Sequence, residues 1–340
     1  MTQTHKPRIG ITLGDYNGIG PEVVLKALSD NRILNLVTPV VYGSGKVVSF
    51  YKKLLSLEDI NYTQVRNKGQ YAAKSINVIN CWGDDALDIV PGRASKEGGK
   101  AAWVALKQAS LELKEGLIDA LVTAPIDKHT IHSEEFPFTG HTDFLTHFFE
   151  VPDSLMFMVS DKLRVGLATE HIPVKEVAAS LSKEKIEAKL KIMDASLRKD
   201  FGIIKPKIAV LALNPHAGDN GLLGKEEDEI IRPVIADQKN KGRLVYGPFP
   251  ADGFFAAGSH SKYDGILAMY HDQGLVAFKT ISFGDGVNYT AGLPIIRTSP
   301  DHGTAYAIAG KNQANEGSLR EAIYQAVEIF KQRTQPSKEK

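Results

Sequence analysis

Short apolar runs rich in β-branched residues alternate along this chain with longer stretches in which apolar positions recur every three or four residues. Arg8–Leu13, Pro39–Tyr42, Ile76–Ile79, Ala120–Thr123, Lys207–Leu213 and Ile266–Met269 are of the first kind and read as buried strands. Leu155–Val159 and Arg164–Ala168 read as a hairpin. Helices are predicted from about Pro21, through Phe50 and Leu54, over Lys100–Gly116, over Glu184–Leu197 and over Ser318–Phe330. In Lys100–Gly116 the period turns Ala101, Val104, Ala105 and Leu111 inward, with Leu113 a further candidate, and Gly116 ends the helix. The final QPSKEK reads as a frayed end.

Strand–helix alternation over the whole length predicts an α/β fold with a mainly parallel sheet. A length of 340 residues suggests about two domains. No linker, low-complexity tract or repeat separates them, so the chain is expected to cross between domains more than once.

Composition narrows the class. Lys plus Arg is 41 and Asp plus Glu is 40, a formal net charge of +1 that argues against a nucleic-acid or other general polyanion binder. The single cysteine, Cys81, excludes an internal disulfide and a thiolate-rich metal site and fits a reducing cytoplasm. MTQTHKPR has no apolar core, so no signal peptide is expected. The longest uncharged stretch, 13 residues between Arg32 and Lys46, is broken by Pro39 and Gly43 and is too short to span a bilayer.

Candidate chemistry gathers at strand ends, where open α/β sheets collect ligands. Five of the ten histidines stand in turns beside Gly, Pro or an acid: His141 in GHTD, His171 in ATEHIP, His216 in LNPHAGD, His271 in MYHDQG and His302 in SPDHGT. His171, His216 and His271 each follow a predicted strand, so three imidazoles could meet with positions left for water or substrate. A hydrogen-bonded surface histidine is the plainer reading of any one of them. GDYNGIGPE, from Gly14 to Glu22, joins a strand to a helix N-terminus that could attract an anion, although it fits neither the dinucleotide fingerprint nor the P-loop. Its plainer reading is a tight turn. Lys279, Asn288 and Arg297 offer a cation, an amide and a guanidinium suited to phosphate or carboxylate. Asp252, in GPFPADGFF, is either a helix N-cap or a carboxylate supporting a metal. No G-x-S-x-G supports a serine hydrolase.

Taken together, GDYNGIGPE, FTGHTDFL, ATEHIP, LNPHAGDNGLLGKEE, GPFPADGFF, YDGILAMYHDQGL and VNYTAGLPIIRTSPDHGTAYAIAG resemble the 4-hydroxythreonine-4-phosphate dehydrogenase family of pyridoxal 5′-phosphate biosynthesis, over about Arg8 to Phe330. GDYNGIGPE and DHGTAYAIAGKNQAN are also similar to the wider isocitrate/isopropylmalate dehydrogenase superfamily. The resemblance implies two α/β/α domains with the active site in the cleft between them. Residues 1–131 with 300–340 would form the cofactor side, and 132–299 the metal, substrate and dimerisation side. It implies a divalent metal (Zn, Mg or Co) on His171, His216 and His271, and substrate contacts from His141, Thr142, Lys279, Asn288 and Arg297. It places NAD or NADP near Gly14, Asp15, Gly18, Gly20, His302, Gly303 and Asn315. It also implies a cytoplasmic homodimer whose metal ligands come from both subunits, the histidine matching His271 crossing to the metal held by those matching His171 and His216.

The expected reaction is metal-assisted oxidation of 4-phosphooxy-threonine at its C3 hydroxyl, followed by decarboxylation to 3-amino-2-oxopropyl phosphate. Asp252 and Asp272 are the candidate acid–base groups. Where the family commonly has Pro-Ala, this chain has Tyr16-Asn17, which leaves threonate or erythronate 4-phosphate as alternative substrates. Two rivals are a metal-dependent phosphatase or hydrolase, which needs no NAD, and a metabolite-binding protein without catalysis.

Overall fold

The computed structural model describes residues 6–83, 88–282 and 284–335. The described strands are β1 (Arg8–Thr12), β2 (Thr38–Gly43), β3 (Tyr62–Gln64), β4 (Ile76–Asn80), β5 (Ala120–Thr123), β6 (Leu155–Val159), β7 (Arg164–Leu167), β8 (Lys207–Leu211), β9 (Leu244–Phe249), β10 (Gly265–Ala268), β11 (Val287–Ala291) and β12 (Arg297–Pro300). The chain forms two compact units, Met1–Phe149 with Pro294–Lys331 and Glu150–Leu293 with Gln332–Lys340.

The first unit has the strand order β3-β4-β2-β1-β5-β12, paired in parallel throughout. Ile9 lies opposite both Pro39 and Ala120, and Ile9, Ile11, Val40 and Val41 are fully buried. Burial on both faces explains why these strands read as continuous apolar runs rather than alternating ones. The helix Lys96–Lys114 starts where the Ser95 hydroxyl accepts from the Gly98 N–H and stops before Gly116, whose φ of 72° is left-handed. It buries Ala101, Ala102, Ala105, Leu106, Ala109 and Leu113, but the expected inward Leu111 is 41% exposed. Six residues beyond Ala105, Leu111 points roughly 120° away from that face.

The units divide the chain differently from the expected split. Residues 132–149 join the first unit, where Trp103 packs against Phe136 and Phe144 with ring centroids 5.1 Å apart in each case. Arg297–Thr298 join it through the pairing of β12 with β5. Aromatic packing and strand pairing outweigh proximity in sequence here.

The second unit has the order β11-β6-β7-β10-β8-β9. The expected hairpin is present, with Phe157 opposite Gly166, and β6 is antiparallel to both its neighbours. The pairs β7–β10, β10–β8 and β8–β9 are parallel. The core joins Met158, Val165, Leu167, Leu211 and Ile266 to Phe254, Leu275 and Phe278. Leu275 and Phe278 seat the helix His271–Ile281 on the sheet, each contributing on the order of 2 kcal/mol of apolar burial. Gly274 lets that helix approach, since a Cβ there would lie 2.8 Å from a Val165 methyl. The strands β3, β9, β11 and β12 were not legible as apolar runs. They are short or polar, and β9 contains Gly247-Pro248. Of the QPSKEK end, all but Gln335 lies outside the described residues.

Candidate active site

Strands β7, β10 and β8 are consecutive and parallel, so their carboxyl ends line up. The turns that follow them carry His171, His271 and His216 respectively. Side chains stitch these ends together. The Thr169 hydroxyl donates to the Met269 carbonyl at 2.7 Å. The Gln273 carbonyl accepts from the Met269 N–H at 2.7 Å, and its amide donates to the Ala212 carbonyl at 2.6 Å. One side chain thus ties the end of β10 to the end of β8. The rings of His171 and His271 lie 5.5 Å apart by centroid. His271 Nδ1 is 2.7 Å from an Asp272 carboxylate oxygen. A proton held on Nδ1 by that carboxylate leaves Nε2 as a lone-pair donor, the usual arrangement behind a metal-ligating imidazole. Glu170, next to His171, is half-buried, and desolvation raises its pKa.

His216 occupies a different kind of turn. His216, Ala217, Gly218, Asp219 and Asn220 have φ of 53°, 53°, 80°, 42° and 55°, a left-handed run in which only one residue is glycine. A non-glycine residue held there costs roughly 1–2 kcal/mol, so the surroundings must hold it. Among the described residues, no three His, Cys, Asp or Glu side chains converge as a metal set within one chain. The fold brings together two of the three expected ligands and leaves His216 exposed on its own turn.

In the first unit, Arg297 on β12 is 3% exposed and donates to the Thr123 hydroxyl at the end of β5 from Nη2 at 2.7 Å and Nε at 3.2 Å. Burial pulls its pKa down to about 9. His141 opens the helix His141–Phe148. Its Nε2 is buried without a hydrogen-bond partner among the described residues. Burial first, then the positive charges of Arg297 and Lys128, hold its pKa well below 6.5, so the ring is neutral. A dry guanidinium close to a neutral imidazole with an unused nitrogen suits a bound anion carrying hydroxyl groups. Thr142 is the next residue of the same helix.

The glycine loop is interior. Every residue from Gly14 to Glu22 is buried. A Cβ on Gly14 (φ 67°) would stand 2.1 Å from the Pro125 carbonyl oxygen, and one on Gly20 2.1 Å from that of Leu13. A Cβ on Gly18 would lie 3.0 Å from the Thr304 carbonyl oxygen. Packing alone therefore explains these glycines. The Asp15 carboxylate accepts from the Tyr306 hydroxyl at 2.7 Å and the Asn17 N–H at 2.9 Å, and desolvation raises its pKa. Tyr16 and Asn17, which stand where the family commonly has Pro-Ala, point into the protein. Asn17 Oδ1 accepts from Val90 N–H, and its Nδ2 donates to the Ser95 hydroxyl. The helix Gly20–Leu28 carries its own anion, because buried Glu22 accepts from the Ala314 N–H and Lys26. Gly303 differs from the loop glycines in that a Cβ there would meet nothing within 4 Å. His302 lies beside it, and Asn315 Oδ1 accepts from Gly317 N–H at the start of the last helix.

Lys279 and Asn288 belong to the second unit, Lys279 exposed near the end of its helix and Asn288 on β11 with a buried Oδ1 that has no hydrogen-bond partner among the described residues. Asp252 is not an N-cap. It lies exposed in the first turn of the helix Ala251–Ala256, after Pro250. Gln273, Thr123 and Glu170 were not singled out by sequence. Gln273 and Glu170 had a signal, their places in MYHDQG and ATEHIP.

The family model described as pyridoxal phosphate biosynthetic protein PdxA matches residues 35–326. A 4-hydroxythreonine-4-phosphate dehydrogenase of Bacteroides thetaiotaomicron is 51% identical over 97% of this chain and 91% of its own length. One of a Sulfurihydrogenibium species is 42% identical over 94% of this chain and 97% of its own. The crystal structure of the Klebsiella pneumoniae 4-hydroxythreonine-4-phosphate dehydrogenase superposes with a TM-score of 0.83 at 35% identity, over 97% of this chain and 99% of that one. With the family model matched over most of the chain, relatives up to 51% identical along nearly its whole length and a fold shared at a TM-score of 0.83, the chain belongs to the PdxA family.

Proposed function

We propose that this chain catalyses the NAD-dependent oxidation of 4-phosphooxy-threonine at C3, with loss of the carboxylate as CO₂ to give 3-amino-2-oxopropyl phosphate, in pyridoxal phosphate biosynthesis in the cytoplasm. The observation that carries this reading is 51% identity to a relative of that activity over nearly the whole chain. No helix among the described residues is long and apolar enough to cross a membrane.

His171 and His271, with Asp272 behind the second ring, fit a divalent cation such as Zn, Co or Mg. The 5.5 Å pair supports these two as ligands from the same chain, with His216 of a second copy as the third. Large apolar residues exposed just after each histidine, Val174 at 78%, Leu222 at 78% and Val276 at 64%, support a homodimer that would cover them. When bound, the ion supplies Lewis-acid stabilisation of charge on the oxidised oxygen and NAD supplies the hydride acceptor. The chain holds the substrate: Arg297 and Lys279 bind its anionic ends, while His141, Thr142 and Asn288 orient its polar groups. Asp272, or Asp252, receives the hydroxyl proton. Gly303, open to solvent space, lets the backbone of the His302 turn approach the nucleotide, with Asn315 nearby. Gly14, Asp15, Gly18 and Gly20 shape the floor of that region.

The test is NADH absorbance with NAD⁺ or NADP⁺, a divalent metal and a panel of 4-phosphooxy-threonine, threonate 4-phosphate and erythronate 4-phosphate. Turnover of the first well above the others is expected. Phosphate release without NAD would establish a hydrolase instead. His216→Ala is expected to lower activity by at least about a hundredfold while the fold, read by circular dichroism, is kept.

A further inference from the structure

We propose that Glu227 is the positioning residue of the His216 turn, its buried carboxylate holding the left-handed segment in the shape that presents the imidazole to the metal. The proposal rests on His216 being a ligand, as read above.

Glu227 is 1% exposed although it is a carboxylate. Its Oε1 accepts from the backbone N–H groups of both Leu213 and Asn214 at 2.8 Å. Its Oε2 accepts from Asn214 Nδ2 at 3.0 Å. These are the residues by which the chain leaves β8 and enters the left-handed run at His216. The carboxylate also presses on that run. A Cβ on Gly218 would fall 2.7 Å from Glu227 Oε2, so the turn closes over the carboxylate only because residue 218 is glycine. Neighbouring Glu226 accepts from the same Asn214 amide at 2.7 Å. Glu227 itself opens a π-helical turn, Glu227–Ile231, ahead of the helix Arg232–Asn240. Such turns hold one residue more than an α-helical turn and recur at functional sites. The extra residue lets an otherwise ordinary helix start deliver a carboxylate beneath the loop. Three hydrogen bonds and a steric stop thus converge from one side chain on a backbone that would not otherwise stay left-handed. They also give a reason for the spacing of LNPHAGDNGLLGKEE, in which the last acid follows His216 by eleven residues.

The full-length metal-free protein is titrated with Co²⁺, following its visible absorption, for wild type, His216→Ala, Glu227→Ala, Glu227→Gln and Glu227→Asp. Hydrogen exchange is measured in parallel on the peptide containing Leu213 and Asn214. Glu227→Ala is expected to weaken Co²⁺ binding by about tenfold or more and to speed exchange of that peptide. Its kcat should fall while KM for NAD is unchanged. Glu227→Gln keeps an oxygen for the two backbone N–H groups and should return affinity to within about threefold of wild type. If Glu227→Ala does not fold, Glu227→Asp, whose carboxylate is withdrawn by one methylene, should show the same loss in milder form. Unchanged Co²⁺ affinity in Glu227→Ala or Glu227→Asp, with affinity lost in His216→Ala, overturns the proposal and leaves the ligand reading standing. Unchanged affinity in His216→Ala overturns that reading, and this proposal with it.

Discussion

Arg297 and His141 show how burial changes the meaning of a residue. In sequence Arg297 is one cation in a polar stretch, but in the fold its guanidinium is dry and its pKa is lowered to about 9. Such a group gains from an anion, and its planar fork can take two oxygens at once. Arg297→Lys is therefore expected to raise KM for the phosphorylated substrate about tenfold or more, with a smaller change in thermal midpoint. Steady-state kinetics and a thermal scan of both proteins check this, and an unchanged KM would remove Arg297 from the site. His141 gives a pH prediction. Its pKa in the fold is held below the 6.5 of the unfolded chain by burial and by Arg297 and Lys128. Below pH 6.5 the unfolded state therefore binds a proton that the folded state refuses, and stability falls as the solution is acidified, by at most about 1.4 kcal/mol per pH unit from this one group. Above that pH the term is flat. The thermal midpoint of wild type should drop more between pH 7 and pH 5 than that of His141→Asn. Equal drops would show that the ring is free to protonate.

Loops and strand ends carry the next level of specification. GDYNGIGPE reads equally well as a tight turn or as a cofactor loop, because glycine serves both. The neighbours distinguish them. Gly14→Ala should cost on the order of 1–3 kcal/mol, since its φ is 67° and its Cβ would strike the Pro125 carbonyl. Gly303→Ala should leave stability within about 0.5 kcal/mol but raise KM for NAD, because space is open there in the free protein. Chemical denaturation and cofactor kinetics on the two variants separate the roles, and a destabilised Gly303→Ala with normal KM would refute the assignment. Gln273→Glu is a sharper probe of the stitched strand ends. It keeps the acceptor for the Met269 N–H but sets a carboxylate oxygen against the Ala212 carbonyl. A loss of about 1–3 kcal/mol is expected, with Gln273→Met losing both links. Equal stability of wild type and Gln273→Glu would mean that the Ala212 contact contributes nothing.

On the proposed reading of a homodimer with shared metal sites, the two chains can divide the three histidines in more than one way. The resemblance assigns His271 to the opposite subunit from His171, whereas here their rings lie 5.5 Å apart in one chain. With that pair in one chain and His216 in the other, co-expressed His216→Ala and His271→Ala should recover roughly a quarter of the wild-type sites, one per mixed dimer. His171→Ala with His271→Ala should recover none, since every site would lack one member of the pair. Recovery in the second mixture would restore the assignment drawn from the resemblance, and a monomer by sedimentation would end the shared-site reading.

The chain's own pattern was enough for the α/β class, most of the buried strands, the hairpin Leu155–Val159/Arg164–Ala168 and the three histidine turns, because each follows from local apolar runs and turn residues. The recurring blocks were enough for the family. Strand order was beyond it, and strand order is what sets β7, β10 and β8 side by side, so that the turns carrying His171, His271 and His216 leave neighbouring strands at the same edge. The edge and polar strands β3, β9, β11 and β12 were hidden because pairing, rather than apolar content, makes them strands. The allotment of 132–149 to the first unit came from the aromatic packing around Trp103. Glu227 and Gln273 could not be told from solvated polar residues until the fold closed over them. A side chain's burial and partners depend on segments tens of residues away, as Gln273 shows by reaching a carbonyl 61 residues earlier in the chain.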